Sequence, residues 1–164
     1  MLTRRTARVL LLDGAGRLLL VHMHHPDFAA PGGAVSPTPY WVTVGGAAEP
    51  DEDIAAAALR EIAEETGLTR VRLGPVIRYD EHMAEIRGQP TLVQQTFFLA
   101  WTEETELSDA AWTQEERTII KGMKWWTLEE LLATNETLYP SSLPMHLSAI
   151  LAGDYPRQIA PIEF

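Results

Sequence analysis

Glu61, Glu64 and Glu65 follow one another at the i, i+3, i+4 spacing that puts side chains on one side of a helix. Three carboxylates within one turn repel each other, and near a helix C-terminus the dipole adds to the penalty. A divalent cation relieves that repulsion, and Mg2+ or Mn2+ is the ion suited to clustered carboxylate oxygens and water. Arg60 is placed to reach Glu64 one turn on, or Glu52 in the segment before the helix, and so to fix the geometry of the ligand set. Taken alone, the Glu-x-x-Glu-Glu pattern is more often the mark of a solvated acidic face.

The elements that must position these groups are legible around them. Asp51 and Asp53 are candidate N-caps, Ile54 to Leu59 is rich in helix formers, and Gly67 supplies a left-handed terminus, so a helix is expected over roughly 53–66. Ala55, Ala58, Leu59 and Ile62 are expected on its apolar side, opposite Glu61, Glu64 and Glu65. Ahead of it, Trp41 to Val44 reads as a strand that delivers Gly45 and Gly46, where the absence of side chains lets backbone carbonyl and amide groups approach an ion and a phosphate.

Gly46, Glu52, Arg60, Glu61, Ile62, Glu64, Glu65, Gly67 and Leu68 fill every fixed position of a known pattern: Gly, five residues, Glu, seven residues, Arg-Glu-U-x-Glu-Glu-x-Gly-U, with U a bulky aliphatic. The stretch resembles the Nudix box of hydrolases that act on nucleoside diphosphates linked to a moiety X. At average composition a chance match is rarer than about one in ten million per frame. The resemblance implies an α/β fold, an α/β/α sandwich around a mixed β-sheet, and hydrolysis of a pyrophosphate linkage by attack of water on phosphorus. It implies that Glu61, Glu64 and Glu65 hold Mg2+ or Mn2+, with the Gly46 carbonyl as a further candidate ligand. The general base is Glu61 or Glu64 of the box, or a glutamate of a later loop, where Glu116 is the candidate and Glu115 competes. Homodimers are common in the family. Val44 and Ala47 stand where relatives often have Pro and a third Gly.

The moiety X is left open. The window Met83-Ala-Glu-Ile86 holds neither the Pro nor the Tyr that marks ADP-ribose or dinucleoside polyphosphate enzymes, and the patterns of coenzyme A and NADH hydrolases are also missing. A nucleoside di- or triphosphate, or a nucleotide sugar, is the weak preference. Phe28, Tyr40 and Trp41 can stack a base, although core packing or loop anchoring explains each more simply.

Elsewhere, Thr6 to Leu12 and Leu18 to His22 are expected to pair as an antiparallel hairpin across Asp13-Gly-Ala-Gly-Arg17. His22, His24 and His25 invite a zinc reading, but their spacing is tight and there is no cysteine or second cluster. The segment 27–40 reads as a long loop, and Pro31-Gly-Gly33 within it lacks a Glu at the spacing the pattern demands. Val71 to Tyr79 and Thr91 to Trp101 are expected strands joined by a turn over 86–90, the second apolar on both faces as in a strand covered by helices on each side. Gln94 and Gln95 within it need hydrogen-bond partners. A loop with a short helical piece is expected over 108–118, a last strand over 119–126, a capping-box helix from Thr127 to about Ala133, and a final helix from Ser142 or Pro144 to Leu151.

A chain of 164 residues, 46% hydrophobic, suits a single domain over 1–164 with a sizeable core. With no cysteine there is no disulfide framework, thiolate metal site or cysteine nucleophile. The N-terminus lacks the apolar core of a signal peptide and no 18-residue apolar run exists, so a soluble, cytoplasmic protein with no membrane partner is expected. Thirteen basic against 23 acidic residues, a net charge of -10, disfavours nucleic acid as a partner, including a capped RNA. It does not disfavour a small nucleotide-type substrate, for which a metal supplies the local positive charge. Two further alternatives are a catalytically silent nucleotide-sensing module, against which the intact glutamate set counts, and a scaffold that binds Ca2+ structurally.

Overall fold

The run Ala7-Arg-Val-Leu-Leu-Leu12 builds the centre of the sheet, because its alternate residues serve two different cores. In the computed structural model, which describes residues 2–24 and 38–156, it lies within β1 (Leu2–Leu12). Ala7, Val9 and Leu11 point to one side and Leu10 and Leu12 to the other. The strand starts four residues earlier than expected because its N-terminal half is held by parallel pairing to β5 (Gln89–Thr102) from Leu2↔Thr91 to Leu12↔Trp101.

The Asp13–Arg17 turn forms, with Asp13 accepting from the Ala15 and Arg17 amides and from Arg17 Nε. The expected hairpin is nevertheless minimal: β1 and β2 (Leu18–Met23) share only the Leu12↔Leu18 register before they part. Each then finds other partners. β3 (Tyr40–Ala47) is gripped by both, its first half antiparallel to β2 and its second half, Val44 to Ala47, antiparallel to β1. That double hold carries Gly45 and Gly46 to the mouth of the box helix.

The helix, α1 (Ile54–Thr66), is capped by Asp53, whose side chain accepts from the Ala56 amide, and is closed by Gly67 at φ 76°. Its buried stripe differs from the expected one. Ala57, Ala58, Ile62, Glu65 and Thr66 are buried, whereas Leu59 is exposed. Ala58, Ile62 and Glu65 lie at i, i+4, i+7, so the apolar stripe continues into a carboxylate, and Leu59 falls on its margin.

β4 (Val71–Ile86) runs seven residues beyond the expected strand end. Its distal half is polar and is made a strand by pairing with β5 rather than by its own propensity. Arg87 and Gly88, both at positive φ, form the two-residue turn between them. β5 is apolar on both faces as expected, with Phe98 and Ala100 in one core and Phe97 and Leu99 in the other. Gln95 donates to Asp80 and Gln94 to Glu81, which supplies the partners those side chains require.

Downstream come α2 (Gln114–Ile119), β6 (Ile120–Trp126), α3 (Leu128–Ala133), β7 (Thr137–Tyr139) and α4 (Leu143–Leu151). β6 is not the last strand: the three-residue β7, too short to show in the sequence, adds in parallel to β3. Among the described residues the seven strands form one mixed sheet ordered β4-β5-β1-β2-β3-β7, with β6 on β2. α1 covers one face through Ala57, Ala58 and Ile62. α3 and α4 cover the other through Leu131, Leu143, Leu147 and Ile150. This is an α/β/α sandwich. No helix among the described residues is long and apolar enough to cross a membrane.

Candidate active site

Gly46 of β3 lies directly against the Glu61 carboxyl of α1. A Cβ built on Gly46 would stand 2.6–2.7 Å from all three carboxyl heavy atoms of Glu61. Gly45, at φ 150°, is tighter still, its hypothetical Cβ falling 2.0 Å from the Ala7 carbonyl oxygen. Only glycine lets β3 pass here between β1 and the helix.

Arg60 organises the acidic groups. Its Nε and Nη2 grip both Glu52 oxygens at 2.7 and 2.8 Å, Nη2 also donates to the Ala47 carbonyl, and Nη1 donates to Glu61 at 3.0 Å and to Glu64 at 3.1 Å. The bidentate pair holds the Glu52 carboxyl down at about 2, helped by the Glu49 amide, and raises the guanidinium further. The loop between β3 and α1 is clamped from below by Arg5, whose Nη2 donates to the carbonyls of Glu49 and Glu52.

Glu65 is buried, 3% exposed, and accepts from the Gly45 amide at 3.1 Å. Burial pushes its carboxyl up to about 8, opposed by the neighbouring Arg8 guanidinium and by that amide. Burial also raises Glu61, against the pull of Arg60. Only Glu64 of the three faces solvent. The expected separation of an apolar side from a face holding all three glutamates is therefore corrected: Glu65 continues the buried stripe, and Glu61 and Glu65 turn toward Gly45–Gly46.

Glu116 joins this group electrostatically, its charge raising both Glu61 and Glu65. It is brought there by a latch at the C-terminus of α1. Trp112 Nε1 donates to the Glu65 carbonyl at 2.6 Å and the Ser108 amide to the Thr66 carbonyl at 2.8 Å. α2 then starts with a capping box in which Glu116 accepts from the Thr113 amide. Glu115, the competing loop carboxylate, is exposed and lies 3.8 Å from Arg87. Thus Gly46, Glu52, Arg60, Glu61 and Glu64 gather along one flank of α1, Glu65 is beside them against Gly45, and Glu116 is within electrostatic reach.

The donor set fits a divalent cation chemically: hard carboxylate oxygens, Glu65 buried and Glu61 partly so, both raised by burial. Among the described residues no three of His, Cys, Asp and Glu converge on one point, because Arg60 draws Glu61 and Glu64 while Glu65 is turned to Gly45. His22 stacks on Trp41 with centroids 4.3 Å apart, so it packs rather than joining a cluster; His25, Phe28 and the Pro31–Gly33 segment lie outside the described residues. Tyr40 and Trp41 are buried, against Tyr139 and Trp126 respectively.

Sequence reasoning missed the arginines of β1. Arg8 is electrostatically coupled to Glu65 and donates to the Thr43 carbonyl at 3.3 Å, and its buried Nε has no hydrogen-bond partner among the described residues. A charged residue inside an otherwise aliphatic strand was the available signal.

A family model, the NUDIX domain, matches residues 2–145. The chain belongs to this family, and its enzyme class is that of the Nudix pyrophosphohydrolases. Among solved structures, the MutT protein from Methanosarcina mazei Go1 superposes with a TM-score of 0.60 at 18% identity, over 92% of this chain and 96% of that one. A C. elegans Ap4A hydrolase binary complex gives 0.55 at 22%, covering 92% and 98%. A UDP-X diphosphatase gives 0.61 at 12%, covering 96% and 66%. At these identities the likeness is one of fold. No curated protein matches the chain in sequence.

Proposed function

We propose that this protein hydrolyses the pyrophosphate linkage of a small nucleotide-type substrate, a nucleoside di- or triphosphate or a nucleotide sugar, with Mg2+ or Mn2+ as cofactor. The observation that carries this reading is the position of Glu61 and Glu65, both raised by burial, against the bare backbone of Gly45–Gly46.

Glu61, Glu64 and Glu65 would hold the metal, with the Gly46 carbonyl as a further ligand. When bound, the ion supplies charge neutralisation at the phosphates and acidifies water. The chain does the rest. Arg60, anchored on Glu52 and the Ala47 carbonyl, holds Glu61 and Glu64 in place. A carboxylate takes the proton of the attacking water, and Glu61, Glu64 and Glu116 are the candidates for that role. Arg8, on the sheet side of Glu65, supplies positive charge where phosphate must approach.

The test is release of phosphate or pyrophosphate from nucleoside triphosphates, nucleotide sugars, ADP-ribose and dinucleoside polyphosphates. The last of these and UDP-linked compounds belong in the panel because structural neighbours include an Ap4A hydrolase and a UDP-X diphosphatase. Turnover that needs Mg2+ or Mn2+ and is lost in Glu64→Gln is expected. Tight binding without turnover in both proteins would replace the hydrolase reading with a nucleotide-sensing one.

A further inference from the structure

Beyond Arg8 the sheet carries a polar lattice unrelated to the box. The register aligns Thr6, Gln95 and Asp80 across β1, β5 and β4, and beside that row it aligns Arg8, Phe97 and Arg78. Because neighbours in register share a face, these six side chains stand on one surface of the sheet. A cavity of about 290 Å³ opens over Arg8, Thr43, Arg78, Asp80, Gln95 and Phe97. Arg8 lines one end of it, and the charge of Arg8 is felt by Glu65 on the α1 side of the sheet.

The far end has a defined hydrogen-bonding polarity. Gln95, 6% exposed, commits its Nε2 to Asp80 Oδ1 at 3.1 Å, which fixes the amide and leaves Oε1 as its acceptor. Arg78 Nη2 lies 3.4 Å from Asp80 Oδ2. An arginine only donates and a carboxylate only accepts. The pair therefore presents donors beside two acceptor oxygens, with the Phe97 ring, 5.5 Å from the Arg78 guanidinium carbon, as the apolar surface next to them.

The complementary edge has an acceptor followed by two donors. Guanine offers this as O6, N1–H and N2–H2. Adenine has one donor group and one acceptor, cytosine one donor group and two acceptors, and uracil a single N–H between two acceptors. We propose that this cavity is a guanine-reading subsite, in which Asp80 accepts from N1–H and N2–H2, Arg78 donates to O6, and the phosphates extend toward Arg8. It rests on the hydrolase reading for the direction of the phosphates, but base recognition is tested separately.

Two measurements decide it: kcat/KM for GTP, ITP, ATP, CTP and UTP with Mg2+, and calorimetric binding of GMP, IMP and AMP. GTP is expected to exceed ATP, CTP and UTP by at least about tenfold, since a site built around paired donors rejects bases lacking them. ITP, which lacks the 2-amino group, should fall between GTP and ATP, and GMP should bind more tightly than IMP or AMP. Asp80→Asn and Gln95→Leu should each collapse the GTP-to-ATP ratio toward unity. Equal kcat/KM across bases, equal binding of the three monophosphates, or variants that keep the ratio would overturn the inference. Absence of metal-dependent turnover together with selective GMP binding would sink the hydrolase reading and leave the guanine subsite standing.

Discussion

The Cα of Gly46 stands so close to Glu61 that any side chain on the glycine would occupy the space of the carboxyl group. What the contact excludes is the far end of a flexible side chain, so Gly46→Ala can be accommodated by turning Glu61 aside. We expect near-native melting and a roughly 10- to 100-fold loss of kcat/KM, the scale of a displaced catalytic group. Gly45→Ala is different in kind. Its Cβ meets the backbone of Ala7 at positive φ, and soluble expression or cooperative melting should be lost. A catalytic loss with intact folding for both would show that the two glycines have the same role.

Burial along α1 separates two neighbouring aliphatics. Ile62 is fully buried and Leu59 is 41% exposed. Ile62→Ala should cost about 2–5 kcal/mol in chemical denaturation. Leu59→Ala should shift the midpoint much less. Equal losses would place Leu59 in the core after all.

How far the site could be read in advance follows the same line. The nine positions of the box, the Asp53 and Gly67 caps and the capping boxes at Thr113 and Thr127 are local, and local chemistry is visible in sequence. The Thr127 box was foreseen and the Thr113 box was not. The polar half of β4, the three-residue β7 and the parting of β1 from β2 were hidden, because each is decided by a partner strand distant in the chain. Glu65 was legible but misassigned: the i, i+4, i+7 spacing from Ala58 and Ile62 already puts it on the buried stripe, and only its partner there, the Gly45 amide, was hidden.

Acid should weaken the fold through Glu52. Its carboxyl is held near 2 in the fold against an ordinary 4.5, so the stabilisation is complete above about 4.5 and disappears as pH falls toward 2. The melting difference between wild type and Glu52→Gln, followed from pH 7 down to pH 3, should narrow steadily below about pH 4.5. Curves that stay parallel would remove the Arg60 pair as the cause.

Alkali should act through Glu65 with the opposite sign. The fold favours its protonated form, with the carboxyl raised from 4.5 to about 8, so metal-free stability should decline as pH rises between those values and level off above. In chelator, Glu65→Gln should flatten that slope between pH 5 and 9. A wild-type melting temperature that rises over this range would contradict the assignment.

Arg60 touches Glu52, Glu61 and Glu64 at once and so gives the acidic end of α1 a resident counter-ion. A protein so equipped has no need of metal to reach its folded shape, unlike zinc fingers that collapse when stripped. Chelation should silence it without unfolding it, and returning the ion should restore it without refolding. On the proposed metal-dependent reading, such a molecule would wait, intact and idle, and take up work at the pace set by the divalent cation around it.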